Sequence, residues 1–167
     1  MDLPAFYEFS VGNYFVNFFN RKLDSYKKDE KLFMKRGTSA TVDGIQTHNM
    51  LNFCEKDVQR ELNCLKSKLE KKCKSKFEYH WSHLIEYDYG GYQTAHTHDH
   101  NEDFSLIVYL NTCKSGETNF VLNEKRNIIK KVFPKKGKAI MFHSSILHGA
   151  NNCFENKRVL VLGLKLI

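Results

Sequence analysis

The sequence predicts an α+β fold, a jelly roll or β-sandwich braced on one side by N-terminal helices. Three observations predict it. Apolar residues recur at helical spacing through the first part of the chain; from Phe77 the period falls to two; and the strand-forming runs that follow are short and parted by turn residues.

The elements can be justified in order. Phe15, Phe19, Leu23 and Tyr26 recur at spacings of four, four and three, which puts them on one helix face. A polar stretch follows, marked by Gly37, Thr38, Ser39 and Asp43-Gly44. Residues 37–50 have the make-up of a lid or of an ordinary connection. Val58, Leu62, Leu65 and Leu69 form a second stripe, with Lys and Glu filling the other face. Beyond it, residues 77–87, 104–110, 118–122, 138–143 and 158–167 are rich in strand formers. Residues 132–139 read as a strand end, a turn and a new strand.

At 167 residues the chain is expected to be one domain, with 1–76 as helical support and 77–167 as the jelly-roll core. A chain of this length buries roughly 70% of its unfolded surface. The net charge of +7 permits contact with nucleic acid or another anion. The excess is local, however: Lys66, Lys68, Lys71, Lys72, Lys74 and Lys76 crowd one segment and read as the solvated face of a surface helix. Cys54, Cys64, Cys73, Cys113 and Cys153 are odd in number and include no C-x-x-C pair, which points to a reducing, cytoplasmic setting. The apolar run over residues 9–19 is broken by Gly12, Asn13 and Asn17, so neither a signal peptide nor a membrane span is expected.

The chemistry concentrates in residues 87–98, an aromatic and glycine-rich approach that ends in His96-Thr97-His98. In an extended chain residues i and i+2 share a face, so His96 and His98 point the same way. His148 supplies a distant third imidazole, and Gly149 beside it allows close approach. Three such ligands suit a first-row transition metal and leave part of its coordination sphere open, as catalysis requires. Arg158 begins an apolar strand, where an unpaired charge would be costly to bury. Its planar fork fits a carboxylate, which could belong to Glu117, to Glu86 or to a small molecule; the nearby histidines favour the small molecule.

These residues resemble the Fe(II)- and 2-oxoglutarate-dependent oxygenases, in particular the prolyl 4-hydroxylase-like branch. Tyr87, Gly90 and His96 match its Tyr-x-x-Gly with the first iron histidine nine or ten positions after the tyrosine. Val108-Tyr109-Leu110-Asn111 matches its Tyr-Leu-Asn strand end, and Gly116-Glu117-Thr118-Asn119-Phe120 its Gly-Glu-Thr-x-Phe. Pro134, Gly137 and Phe142 match its hairpin, His148-Gly149 its distal His-Gly, and Arg158 its basic residue. The likeness spans residues 79–167.

The resemblance implies a double-stranded β-helix, cupin-like in form. It implies Fe(II) on His96, His98 and His148, with 2-oxoglutarate and O2 as co-substrates. Arg158 would hold the distal carboxylate of 2-oxoglutarate with help from the Tyr109 hydroxyl, and Tyr87 would bond near the iron end. Oxidative decarboxylation to succinate and CO2 would accompany hydroxylation of a C–H bond, and the branch suggests a prolyl residue in a peptide or protein. A small-molecule substrate is the alternative.

One departure stands out. Most of the family has His-x-Asp, whereas residue 98 here is a histidine, so either three histidines hold the iron or a bulge brings in Asp99. Strand parity favours His98. Nucleic-acid demethylases of the superfamily carry a second arginine six positions after the first; here that residue is Leu164, which argues against a nucleic-acid substrate. Two rival readings remain: a three-histidine thiol dioxygenase, and a non-catalytic cupin-like metal-binding protein.

Overall fold

The computed structural model describes residues 5–35, 37–98, 102–123 and 128–167. Helix α1 spans Asn13–Tyr26 and α2 spans Lys56–Cys73. The strands among the described residues are β1 (Phe6–Ser10), β2 (Thr41–Gln46), β3 (Phe77–His96), β4 (Phe104–Tyr109), β5 (Thr118–Asn123), β6 (Ile128–Val132), β7 (Lys138–His143), β8 (His148–Cys153) and β9 (Lys157–Leu166). Both helical stripes lie where their spacing puts them, with Phe15, Phe19, Leu23, Tyr26, Val58, Leu62, Leu65 and Leu69 all buried. Each contributes roughly 2 kcal/mol by leaving water. α2 ends at Lys74, whose left-handed φ of +53° breaks the helix.

The strands pair in the order β1-β7-β4-β9-β3-β8-β5-β6, with β2 added alongside β3. β3 is 20 residues long, and its two halves have different partners. Its first half pairs with β9 and its last residues with β8. Register shifts near Gly91 and Gln93, with Gly90 at φ +83°, let the strand bend from one half of the sheet into the other. The result is the curled antiparallel sheet of a double-stranded β-helix.

Two cores follow from this. The helices cover one face of the β4–β9–β3 sheet and bury Leu106, Val108, Leu160, Leu162 and Leu164. The other face meets the β8–β5–β6 half of the curled sheet and buries Ile85, Tyr87, Ile107, Tyr109, Phe120, Phe142 and Val159. A sheet covered on both faces is apolar at successive positions rather than at alternate ones.

Two strands lie in the half of the chain expected to be helical. β1 adds to the edge of the sheet against β7. β2 lies within the stretch 37–50, expected to be a lid or connection, and pairs with β3. The Asp43-Gly44 turn signal is a β-bulge inside β2, with Asp43 at φ +48°. A Cβ on Gly44 would stand 2.6 Å from the Glu86 carbonyl oxygen, so the close pairing of β2 with β3 requires glycine there.

Candidate metal centre

His96 closes β3 and His148 opens β8, and the two face each other in register. His98 follows in extended chain, its backbone N–H donating to the Ser144 carbonyl at 2.9 Å. The three ring centroids lie 4.4 Å (His96–His148), 4.7 Å (His96–His98) and 5.3 Å (His98–His148) apart. One ring nitrogen from each falls within 4.8 Å of the others.

The hydrogen bonds fix which nitrogen this is. His96 Nδ1 stands 2.8 Å from the Thr94 carbonyl and His148 Nδ1 2.9 Å from that of Ile146. A carbonyl only accepts, so each Nδ1 carries the proton and each Nε2 keeps a lone pair. His98 Nδ1 faces the Glu102 carboxylate at 3.3 Å. Such contacts to the outer nitrogen orient imidazole ligands in metal sites. Burial, aided by the neighbouring rings, pushes the His148 pKa down to about 3, and burial lowers that of His96, so both rings are neutral and able to ligate.

His96 Nε2 and His98 Nε2 are 3.0 Å apart. With the outer nitrogens protonated, two lone pairs face each other with no proton to share. Two nitrogens held about 2.1 Å from one ion at a right angle stand about 3 Å apart. The donor set therefore fits a cation at the common centre.

A cavity of about 300 Å³ opens beside the histidines and is walled by Met34, Gln46, Trp81, His83, Gln93 and Ser105 among others. The Ser105 hydroxyl is buried and has no hydrogen-bond partner among the described residues. β2 thus builds one wall of the cavity through Gln46.

Arg158, the cation expected near this centre, does not face the interior. Arg158 lies on the helix-facing side of β9, where its Nε donates to Glu86 Oε2 at 2.6 Å and its outer nitrogen reaches Asp24 on α1 at 2.8 Å. Glu86, its register partner on β3, also accepts from Lys27 at 2.6 Å. Arg158 is therefore part of a structural ion-pair cluster that ties α1 to the sheet, and the expectation that it faces the site is corrected. The reason is parity: Val159 and Val161 face the interior, so Arg158 cannot.

Lys157 can, and does. It is 1% exposed, its Nζ donates to the Gly116 carbonyl at 2.8 Å and stands 4.2 Å from the Tyr87 ring centroid. Burial pulls its pKa down to about 8, against smaller opposing effects of Cys153, Cys113 and Glu117. Tyr87 and Tyr109 share its interior core, and the Tyr109 hydroxyl donates to Thr118 Oγ1 at 2.8 Å. Phe120 and Phe142 of the same core pack against the His148 ring. Val161, on the same face of β9, lines the histidine cavity about 13 Å along the strand from Lys157. Asp99, the alternative ligand, lies outside the described residues.

A family model described as the 2OG-Fe(II) oxygenase superfamily matches residues 75–163, more than half of the chain. The chain belongs to the 2OG-Fe(II) oxygenase superfamily. No curated protein matches it by sequence. Among solved structures, a Pseudomonas putida prolyl-4-hydroxylase is similar with a TM-score of 0.72 at 13% identity, over 96% of this chain and 92% of that one. The viral collagen prolyl hydroxylase of Paramecium Bursaria Chlorella virus-1 is similar with a TM-score of 0.70 at 16% identity, over 98% and 97%. The epimerase SnoN, solved with Fe3+, alpha ketoglutarate and nogalamycin RO, has a TM-score of 0.77 at 12% identity, over 96% and 78%. At these identities the likeness is one of fold.

For this member of the 2OG-Fe(II) oxygenase superfamily, Fe(II) and 2-oxoglutarate are the cofactor and co-substrate, and the three Nε2 atoms fit such an ion. Sequence reasoning missed Lys157, Glu102 and Trp81. Lys157 neighbours the arginine that drew attention, and its only signal is that it shares parity with Val159 and Val161. Nothing in the spacing of Trp81 and Glu102 marks them as neighbours of His98.

Proposed function

We propose that this chain is an Fe(II)- and 2-oxoglutarate-dependent dioxygenase that hydroxylates a C–H bond of a prolyl residue in a peptide or protein. The observation that carries the reading is the convergence of three imidazole Nε2 atoms beside a cavity, on a fold with a buried cation farther along the same interior. His96, His98 and His148 would hold the iron. Lys157 replaces Arg158 as the group proposed to pair with the distal carboxylate of 2-oxoglutarate, since a buried ammonium gains most from an anionic partner. Tyr109 and Tyr87 are proposed to line that subsite and keep water from it. When bound, the iron and its keto acid supply an oxidant from O2, releasing succinate and CO2 as the C–H bond becomes C–OH. Trp81, Gln46 and Gln93 line the cavity in which a substrate carbon would be held beside the centre.

The similar prolyl hydroxylases support a peptide substrate. A small-molecule substrate is the second reading, favoured by the similar epimerase and by a cavity of about 300 Å³. Among the described residues no helix is long and apolar enough to cross a membrane. All five cysteines are free, which supports the proposed reducing, cytoplasmic setting.

The test is an anaerobic titration of the Fe(II)-loaded protein with 2-oxoglutarate, followed by succinate release with proline-containing peptides. The visible charge-transfer band of a chelated keto acid is expected. Its absence with iron bound would leave the thiol dioxygenase or the non-catalytic reading. Lys157→Met should weaken 2-oxoglutarate binding by about 30-fold or more, the loss expected for a buried charge pair, while Arg158→Met leaves it within a factor of about two. The reverse pattern would restore Arg158 to the site.

A further inference from the structure

Among the described residues Glu102 is the one buried carboxylate against the histidine centre. It is 8% exposed, and a single oxygen, Oε1, accepts from the Trp81 indole N–H at 2.9 Å and stands 3.3 Å from His98 Nδ1. Its backbone is pinned as well. The Ser144 hydroxyl donates to the Glu102 carbonyl at 2.6 Å, while the Ser144 carbonyl accepts from His98 N–H at 2.9 Å. Both members of the pair are thus held by one serine in the turn between β7 and β8. Trp81 is held too, because its indole lies on the bare face of Gly163, where a Cβ would come within 2.4 Å of Nε1.

The three imidazoles are not held alike. His96 and His148 give their outer proton to neutral carbonyls, and His98 alone faces a carboxylate. His98 is also the residue that stands where the family's usual pattern has an aspartate. Three neutral ligands leave a divalent ion with two positive charges, where two histidines and a carboxylate would leave one.

We propose that Glu102 is a positioning residue that keeps His98 in the Nδ1–H tautomer and supplies to the metal centre, through the His98 ring, the negative charge that an aspartate at position 98 would supply directly. The inference rests on the three-histidine reading of the centre. A carboxylate that accepts from the outer nitrogen makes the imidazole a stronger donor to the ion. Its burial keeps the attraction from being screened by solvent. The indole N–H and the Ser144 pair fix its distance, so the effect requires no rearrangement when metal arrives. A merely structural Glu102, satisfying Trp81 alone, would have no such effect on the metal.

Glu102→Gln separates the two roles, since the amide oxygen still accepts from Trp81 and stays beside His98 Nδ1 but the charge is gone. Metal-free protein is titrated with Co(II), read by the visible absorption of the bound ion and, as a second signal, by quenching of Trp81, the chain's one tryptophan. Glu102→Gln is expected to weaken Co(II) binding by about 10- to 100-fold with an unchanged melting temperature in the metal-free state. In the His98→Asp background the loss should vanish or reverse: the introduced carboxylate and Glu102 would repel, so Glu102→Gln should leave binding unchanged or tighten it. An equal loss in both backgrounds, or no loss in either, would overturn the proposal. Failure of the unsubstituted protein to bind Co(II) would overturn the three-histidine reading itself, and this inference with it.

Discussion

Lys157 and Arg158 are adjacent in sequence, yet one is sealed in the interior and the other lies among carboxylates on the helix side. Alternation along β9 separates them, and the cost of burial makes the difference measurable. Unfolded, Lys157 keeps its proton to about pH 10.5; folded, only to about 8. Below pH 8 both states are charged and the native state carries the full cost of the buried ammonium. Between these two values the unfolded chain binds more protons, so this residue makes stability rise with pH, by about 3 kcal/mol across the window. Lys157→Met removes the rise. Urea unfolding of parent and variant near pH 7 and near pH 10.5 should show their difference moving by about 3 kcal/mol in the parent's favour. A constant difference would mean that Lys157 titrates as an ordinary lysine.

β3 does the most at the scale of elements. It carries Trp81, Tyr87 and His96 toward the interior, pairs with β9 along one half and with β8 at its end, and takes β2 as a further neighbour. Its close fit against β9 depends on Gly163, which lies under the Trp81 indole. Gly163→Ala should displace the ring, lowering stability by about 2 kcal/mol. Displacement should also shift the tryptophan emission to the red, because the indole would lose its bond to Glu102. Unchanged emission and stability together would show that the ring accommodates a methyl group without moving. The same strand explains why β2 was not legible: Asp43-Gly44 has the composition of a turn, but the glycine is there to let two backbones approach.

Across the whole molecule, the histidine centre joins β3 to β8, neighbouring strands whose other partners, β9 and β5, lie on opposite sides of them in the curled sheet. A metal ion bound there should act as a staple. At about 100 times its dissociation constant, Co(II) or Ni(II) should add about 2.7 kcal/mol of stability, or roughly 5–10 °C in melting temperature. Thermal unfolding with and without a chelator measures this, and His148→Ala should abolish the gain while leaving the metal-free protein folded. An equal gain in that variant would locate the metal elsewhere.

Local chemistry determined much of this protein in advance. The helical stripes, the change of period at Phe77, most of the later strands and the shared face of His96 and His98 follow from side-chain spacing, because amphipathic helices and extended strands obey short, regular rules, whereas His148 is picked out by the family pattern. The family pattern is local in the same sense. Tertiary structure alone decided which of two neighbouring cations faces inward, that β1 and β2 join the sheet, and that Glu102 and Trp81 meet at His98. The physical reason is common to all three. A sheet buried on both faces is apolar at every position, so its sequence does not say which side is which, and contacts between residues 21 positions apart exist only once the chain has folded.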